Sequence, residues 1–319
     1  MLPSPIPLGE IEAARERLRG LAVRTPVLAL PRDVAGRDVR LKLENLQPIG
    51  SFKLRGAGNA MRALGAAALA DGVWTASAGN MAQGVAWCAR ELGAACRVVV
   101  PAHAPDAKVA AVERLGGVVE RRPFEAWWQL LVERGDPSVP GRFIHPVSDA
   151  AVIAGNGTVA LEILEDVPDV AAIVVPYGGG GLSCGIASAV RQLAPHVRVV
   201  AAEVETAAPL APSLAAGAPQ PVAYTPSFVD GIGGRSVLAE MWPLASTLLD
   251  GSVVVSLDAV ARAWRLLVER VRVIAEGAGA AAVAAALSGA LPEGPVVAVV
   301  SGGNLDVRTM IGLLEGRIP

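Results

Sequence analysis

Lys53 is the residue of this chain that is best suited to covalent chemistry. It follows a short apolar strand, Val39–Leu43, and a turn rich in proline and glycine, and it lies where a helix is predicted to begin. The chain has two other lysines, Lys42 and Lys108, and carries most of its positive charge on arginine. Arginine cannot replace an amine nucleophile, because the guanidinium does not lose its proton in proteins. The turn alone favours an ordinary surface lysine, so other stretches must decide.

A run of four glycines is the clearest sign of a bound phosphate. Gly178, Gly179, Gly180 and Gly181 follow a predicted buried strand at 172–176 and precede a predicted helix. They leave several N–H groups unobstructed at the positive end of that helix, which suits a phosphate. No Lys-Ser or Lys-Thr follows, as a P-loop requires, and the spacing differs from the dinucleotide fingerprint. A tight turn with close backbone packing is the remaining alternative.

Two further loops lie directly after predicted strands. Ser77-Ala78-Gly79-Asn80 opens a helix, and it places a hydroxyl, an amide and backbone donors where a carboxylate can bind, although an ordinary helix cap explains it nearly as well. Ser301-Gly302-Gly303-Asn304 follows the last predicted strand. Ligands bind at the carboxyl ends of parallel strands, so we expect these loops to converge on one crevice.

Short strands and longer helices alternate along the chain, which is typical of an α/β protein with a mainly parallel sheet. The predicted strands are 39–43, 73–76, 96–101, 172–176, 197–203, 253–256 and 296–300. The predicted helices are 8–21, 51–64, 81–92, 107–115, 157–164, 182–193, 258–271 and 278–287. This rhythm indicates a large domain of residues 1–71 and 146–319, and a small domain of residues 72–145 inserted into it.

The composition favours a small-molecule partner. The chain has 319 residues, 52% of them hydrophobic and 18% charged, which is enough for a sizeable core and far from the composition of disordered proteins. A net charge of -2 argues against a nucleic-acid partner. Three cysteines without metal-like spacing indicate a reducing compartment. Without a membrane-length apolar stretch or a signal-peptide pattern, we expect a cytoplasmic protein with no membrane partner.

With these loops in this order, the chain resembles the serine/threonine dehydratases of pyridoxal-phosphate fold type II, to which serine racemase is related. Ser51-Phe52-Lys53 stands at the start of the pattern, and Glu276-Gly277-Ala278-Gly279 is a supporting match. The resemblance covers essentially the whole chain. It implies a two-domain α/β fold of the tryptophan synthase β type, with parallel-rich sheets flanked by helices and pyridoxal 5'-phosphate in the interdomain cleft. We also expect a homodimer.

The resemblance also implies roles for individual residues. Lys53 would bind the cofactor covalently and then serve as the base that removes the α-proton of an amino-acid substrate. Asn80 would bond the ring hydroxyl, and Ser301 would face the pyridine nitrogen. The implied cofactor-binding residues are Phe52, Lys53, Asn80, Gly178, Gly179, Gly180, Gly181, Leu182, Glu276 and Ser301. The implied substrate-binding residues are Ser77, Ala78, Gly79, Asn80 and Met81.

The implied reaction is β-elimination from a β-hydroxy amino acid such as L-threonine or L-serine, which gives a 2-oxo acid and ammonia. Ser301 cannot protonate the pyridine nitrogen as an aspartate would, and this favours prompt loss of the β-hydroxyl over transamination. Lys53 can act as a base near neutral pH only if its amine is desolvated or lies near other positive charge. We therefore expect a lowered pKa for Lys53.

The chain departs from the family pattern at three positions. Ala78 stands where serine racemase has its second base, which argues against racemisation. Met81 replaces the usual histidine, so the substrate can be larger or otherwise modified. Pro209 stands where relatives that bind a divalent cation have an acid beyond Glu203, and no metal is assigned. The alternatives are thus a dehydratase for a larger β-hydroxy amino acid, an amino-acid racemase, or, least favoured, a cofactor-binding protein without turnover.

Overall fold

The computed structural model describes Leu2 and residues 4–319, and within them the chain forms ten strands in two sheets. The strands are β1 Val27–Ala29, β2 Val39–Leu43, β3 Val73–Ala76, β4 Cys96–Pro101, β5 Val118–Arg122, β6 Arg142–Phe143, β7 Ala172–Pro176, β8 Arg198–Val204, β9 Ser252–Val255 and β10 Val296–Val300.

Fourteen α-helices flank these sheets in the same described residues. They are α1 Leu8–Arg17, α2 Arg32–Ala35, α3 Lys53–Leu64, α4 Ala66–Leu69, α5 Asn80–Glu91, α6 Asp106–Arg114, α7 Phe124–Val132, α8 Ala150–Asp166, α9 Gly181–Leu193, α10 Leu210–Ala216, α11 Trp242–Leu248, α12 Leu257–Leu266, α13 Gly277–Ala286 and α14 Val307–Leu314. A 3-10 turn at Glu44–Leu46 follows β2, and a π-helical turn at Leu267–Val271 extends α12. No helix of this part of the chain is long and apolar enough to cross a membrane.

The larger sheet has the order β1-β2-β10-β7-β8-β9, and only the β1–β2 pair is antiparallel. Its central strands β7 and β10 are buried along their whole length and consist mainly of valine, alanine and isoleucine. Helices cover both faces of a parallel sheet, so its strands need apolar residues on both sides. Apolar cores accordingly lie on both faces, with α8 and α9 on one side and α12 and α13 on the other.

The smaller sheet has the order β5-β4-β3-β6, and all its pairs are parallel. Helix α5 packs on one face, and Trp74 on β3 packs with Leu130 of α7 on the other. The core beneath α5 extends onto α3, where Leu54 and Met61 join Val85. The strands of this sheet all lie within the predicted small domain, but the domain boundaries stay a prediction because α3 shares its core.

Five predicted strands have the predicted bounds, and the prediction of an α/β fold with parallel-rich sheets is confirmed. The helix predicted at 157–164 was too short, since α8 begins at Ala150. Its first turn is stabilised by Asp149, whose side chain accepts hydrogen bonds from the N–H groups of Ala151 and Val152. The helix predicted at 8–21 was too long, because α1 ends at Arg17.

Glycine inside α8 is explained by close helix packing. A Cβ built on Gly155 would lie 2.4 Å from the carbonyl oxygen of Arg55 on α3, and one built on Gly157 would lie 2.8 Å from that of Gly185 on α9. No side chain fits between backbones this close. Glycine normally lowers helix stability, so the sequence pattern hid the first half of this helix.

Candidate active site

The start of α3 is tied to the loop that follows β10. The N–H of Phe52 donates to the carbonyl oxygen of Ser301 at 3.0 Å, and the N–H of Gly303 donates to that of Gly50 at 2.9 Å. Strand β10 lies between β2 and β7 in the larger sheet, so this loop lies beside the chain that leads from β2 into α3. These contacts bring the turn that leads to Lys53 together with the Ser301 loop.

Lys53 is the first residue of α3, and its amine is removed from water. Its Nζ donates to the carbonyl oxygen of Pro146 at 2.9 Å and lies 5.3 Å from the centre of the Phe52 ring. Burial lowers the pKa of Lys53 to about 8, although the negative charge of Glu276 opposes the shift. The Lys53 amine forms no salt bridge with a carboxylate of the described residues. It can therefore lose its proton near neutral pH, as the sequence predicted.

The four glycines form the turn from β7 into α9. Gly180 has φ +92°, a left-handed conformation that favours glycine, and a Cβ on Gly179 would lie 2.6 Å from the Val147 side chain. The N–H groups of residues 178–183 have no acceptor within the described part of the chain. Leu182 lies in the first turn of α9 and is buried. A row of free N–H groups at a helix N-terminus is a site for a phosphate group.

Asn80 begins α5 and lies against Glu276, the residue before α13. Its Nδ2 donates to both carboxylate oxygens of Glu276 at 3.0 Å. Its Oδ1 accepts a hydrogen bond from Nδ2 of Asn304 at 2.8 Å. The structure thus joins the loop after β3, the loop after β10 and the start of α13 through side chains.

Glu276 is buried, and its pKa is raised to about 7. Burial is the main cause, because it disfavours the charged form, and the hydrogen bonds from Asn80 oppose it. Asp230 raises the pKa further, whereas Lys108 and Lys53 lower it. A carboxyl group with this pKa exchanges its proton in the physiological range.

The loop after β3, residues 77–80, lies beside Glu276, which Asn80 contacts. Gly79 is bordered by open space, with no atom within 4 Å of a Cβ built on it, and its N–H donates to Oγ of Ser77 at 3.3 Å. Ala78 is half-buried. The side chain of Met81 packs in the core of the smaller sheet and is only 1% exposed. A packing role accounts for Met81, and its predicted contact with substrate stays a prediction.

Two parts of the site were not predicted from the sequence. Asn304 was recognised only as part of a loop motif, and its contact with Asn80 had no signal in the sequence. The second is a salt bridge of 2.7 Å between Nζ of Lys108 on α6 and a carboxylate oxygen of Asp230. Gly231, the next residue, would bring a Cβ within 3.3 Å of Glu276, so this salt bridge lies beside the site.

Glu203 has a structural environment. Its carboxylate accepts hydrogen bonds from the N–H groups of Leu210 and Ala211 and from the hydroxyl of Ser252, at 2.6–2.8 Å. Among the residues that the structure describes, no group of three or more histidine, cysteine or acidic side chains is arranged to hold a metal.

Comparison with known proteins identifies the protein family to which this chain belongs. Residues 18–302 match the model of the family described as pyridoxal-phosphate dependent enzymes, and the chain belongs to this family. Pyridoxal phosphate is therefore its cofactor, and the enzyme prediction is confirmed. The buried amine of Lys53 and the free N–H groups of residues 178–183 suit this cofactor, because it needs an amine for its aldehyde and donors for its phosphate.

Individual proteins that are similar to this chain include ammonia-lyases, deaminases and racemases. The chain is 40% identical to the L-threonine ammonia-lyase of Geobacter sulfurreducens over 320 residues, which are 97% of this chain and 78% of that protein. The structure of maize serine racemase matches with a TM-score of 0.86 at 33% identity and covers 97% of both chains. Threonine deaminase isoform 2 of Solanum lycopersicum matches with a TM-score of 0.86 at 31% identity and covers 97% of this chain and 86% of that one.

Proposed function

We propose that this chain is an ammonia-lyase that converts L-threonine or L-serine to a 2-oxo acid and ammonia by β-elimination. The observation that carries the proposal is the buried Lys53 amine without a carboxylate partner, close to the Glu276 carboxyl and within one fold with a row of free N–H donors. The ammonia-lyase and threonine deaminase relatives support this choice of reaction. The breadth of the substrate range stays a prediction.

The cofactor would be held from several sides. Lys53 would bind it covalently, and the N–H groups of Gly178, Gly179, Gly180, Gly181 and Leu182 would donate to its phosphate. Phe52 would pack on the ring, and Asn80, Glu276 and Ser301 would meet the ring edge. When bound, pyridoxal phosphate supplies an electron sink that makes the α-proton of an amino acid acidic.

The protein supplies positioning and proton transfer. The substrate carboxylate would bind at the start of α5, where the Ser77 hydroxyl can donate and Gly79 is bordered by open space. Lys53 would take the α-proton, and its lowered pKa suits this step because the neutral amine is present near pH 8. The β-hydroxyl would take up a proton and leave as water. The released enamine would gain a proton at its β-carbon, and water would then replace its nitrogen, which departs as ammonia.

Racemisation is the second candidate, since serine racemases and an aspartate racemase have similar structures. It needs a group that moves a proton on the face opposite Lys53. At the position implied for that group the chain has Ala78, whose methyl group carries no proton that it can transfer. The elimination reaction fits better.

The test uses purified chain incubated with pyridoxal phosphate. We expect a visible absorption band, release of 2-oxo acid from L-threonine or L-serine, and loss of both with Lys53→Ala. Lys108→Ala is the matched control, because it removes a different lysine and should retain the band. A chain that stays colourless would contradict the assignment of Lys53. Absence of 2-oxo acid from all β-hydroxy amino acids, or formation of D-serine instead, would contradict the lyase.

The homodimer and the cytoplasmic location stay predictions. Sedimentation of the purified chain checks the first of these.

A further inference from the structure

The side chain of Asn304 makes two hydrogen bonds that the proposed function does not use. Its Nδ2 donates to the carbonyl oxygen of Ile49 and to Oδ1 of Asn80, both at 2.8 Å. Gly50 lies so close that a Cβ on it would be 2.7 Å from Oδ1 of Asn304. The amide of Asn304 is thus held by the turn before α3 on one side and by the start of α5 on the other.

These contacts fix the direction of the Asn80 amide. With Oδ1 of Asn80 accepting from Asn304, Nδ2 of Asn80 must point the other way, and it donates to both oxygens of Glu276. A rotated amide would bring its carbonyl oxygen against the Glu276 carboxylate and its NH2 group against the NH2 group of Asn304. Both contacts are repulsive, so each hydrogen bond supports the other.

We propose that Asn304 is a positioning residue, which orients the Asn80 amide so that the Glu276 carboxylate receives two N–H donors beside the cofactor. Asn304 itself touches neither Glu276 nor Lys53 by a hydrogen bond within the described residues. It acts through Asn80. The proposal rests on the proposed function only in placing Glu276 beside the cofactor.

The charged form of Glu276 is the form that this arrangement supports. Donors to a carboxylate lower its pKa, and the hydrogen bonds from Asn80 are the largest influence that opposes burial at Glu276, whose pKa is about 7. The other charged groups that act on Glu276 are Asp230, Lys108 and Lys53. None of them contacts Asn304 by a hydrogen bond or salt bridge in the described part of the chain. Loss of the Asn304 amide should therefore raise the pKa of Glu276 while its other neighbours stay in place.

The experiment measures the proton on Glu276 directly. Difference infrared spectra of the full-length chain against the Glu276→Gln variant detect the protonated carboxyl as a function of pH, with and without pyridoxal phosphate. In the unsubstituted chain without cofactor, the signal should disappear around pH 7. In Asn304→Ala the midpoint should move upward by roughly half a pH unit or more, because a freely rotating Asn80 amide no longer presents its donors throughout.

Asn45 provides the matched control. Its Nδ2 also donates to a carbonyl oxygen, that of Ile274, at 3.0 Å, and Asn45 forms no hydrogen bond with Asn80 within the described residues. Asn45→Ala should leave the midpoint unchanged. Asn304→Asp reverses the contact, since a carboxylate can only accept, and it should raise the midpoint more than Asn45→Asp, which adds the same charge.

The titration midpoints of the Asn304 and Asn45 variants decide whether Asn304 positions the Asn80 amide. An Asn304→Ala midpoint equal to that of the unsubstituted chain would overturn the proposal, as would equal shifts in the two aspartate variants, which would reflect charge alone. If Asn304→Ala does not fold, Asn304→Asp and Asn45→Asp decide. No substrate is present in these measurements, so a chain that releases no 2-oxo acid can still give the expected shift. An unchanged midpoint likewise leaves the lyase proposal standing.

Discussion

Buried charges lie on two sides of α3, and they are treated in opposite ways. On the side of α3 that faces away from the site, Arg55 donates to Glu44 and Glu162 at 2.7–2.9 Å. Lys42 donates to the same Glu162 at 2.5 Å. Two positive and two negative side chains thus form a network in which every charge has a partner. On the site side, Lys53 has a carbonyl oxygen as its partner, and Glu276 has an amide.

The difference separates charges that hold the fold from groups that can exchange protons. Complete burial acts to raise the pKa of Glu44, but the pairing of Glu44 with Arg55 outweighs burial and the pKa is lowered. Neither Glu276 nor Lys53 has a salt-bridge partner among the described residues, and burial raises the pKa of Glu276 and lowers that of Lys53. A buried ion pair stays charged at neutral pH, whereas an unpaired buried group titrates near it. Residues two positions apart on one helix, Lys53 and Arg55, therefore have different tasks.

Lys53→Arg tests the site side and has the largest expected effect. Arginine keeps the positive charge but cannot lose a proton or bind the cofactor covalently. We expect kcat for 2-oxo acid release to fall by a factor on the order of 10⁴, the upper end for a lost acid or base. Stopped-flow or coupled assays measure this. Retention of more than a tenth of the activity would show that charge at this position is enough.

Arg55→Met tests the network. It leaves Glu44 and Glu162 buried without their shared cation, and loss of one partner of a buried pair costs about 3–5 kcal/mol of the free energy of unfolding. Urea denaturation of the full chain measures it. The control is Arg262→Met, which breaks an exposed pair with Asp258 and should cost at most about 0.5 kcal/mol. Equal losses in the two variants would remove the distinction between the network and surface pairs.

The pH dependence of cofactor attachment sharpens the comparison. Only the neutral Lys53 amine reacts, so the rate constant for attachment should rise by about tenfold per pH unit below its pKa of about 8 and level off above it. The folded pKa lies below the ordinary value of 10.5, so the unfolded chain binds more protons between these values and stability should rise with pH there. Rapid-mixing absorbance measures attachment. A rise that continues to pH 10 would mean that the amine is not desolvated.

The salt bridge between Lys108 and Asp230 represents a third case, an exposed pair at the edge of the site. Both side chains are about half exposed, so the pair contributes less than about 1 kcal/mol. We expect Asp230→Asn to change KM for the amino acid less than fivefold and to leave kcat within about twofold. The charge-reversed pair Lys108→Asp with Asp230→Lys should restore KM. A large fall in kcat would instead place Asp230 in the chemistry.

The sequence predicted those parts of the molecule in which one short stretch contains the whole signal. The strands 172–176 and 296–300 are uninterrupted apolar runs, and the four glycines need no partner to be noticed. The first half of α8 was missed because the reason for its glycines lies on α3 and α9. The Asn304 amide and the Lys108–Asp230 pair depend on residues more than a hundred positions apart, which no local pattern encodes.

The free N–H groups of residues 178–183 have one more consequence. They belong to the main chain, so a substitution elsewhere in the cleft does not remove them, and only a larger residue at one of the glycines would block them. Side chains around the substrate can change while these donors persist. We expect that a chain built in this way can acquire a new substrate in small steps without first rebuilding the site proposed for the phosphate.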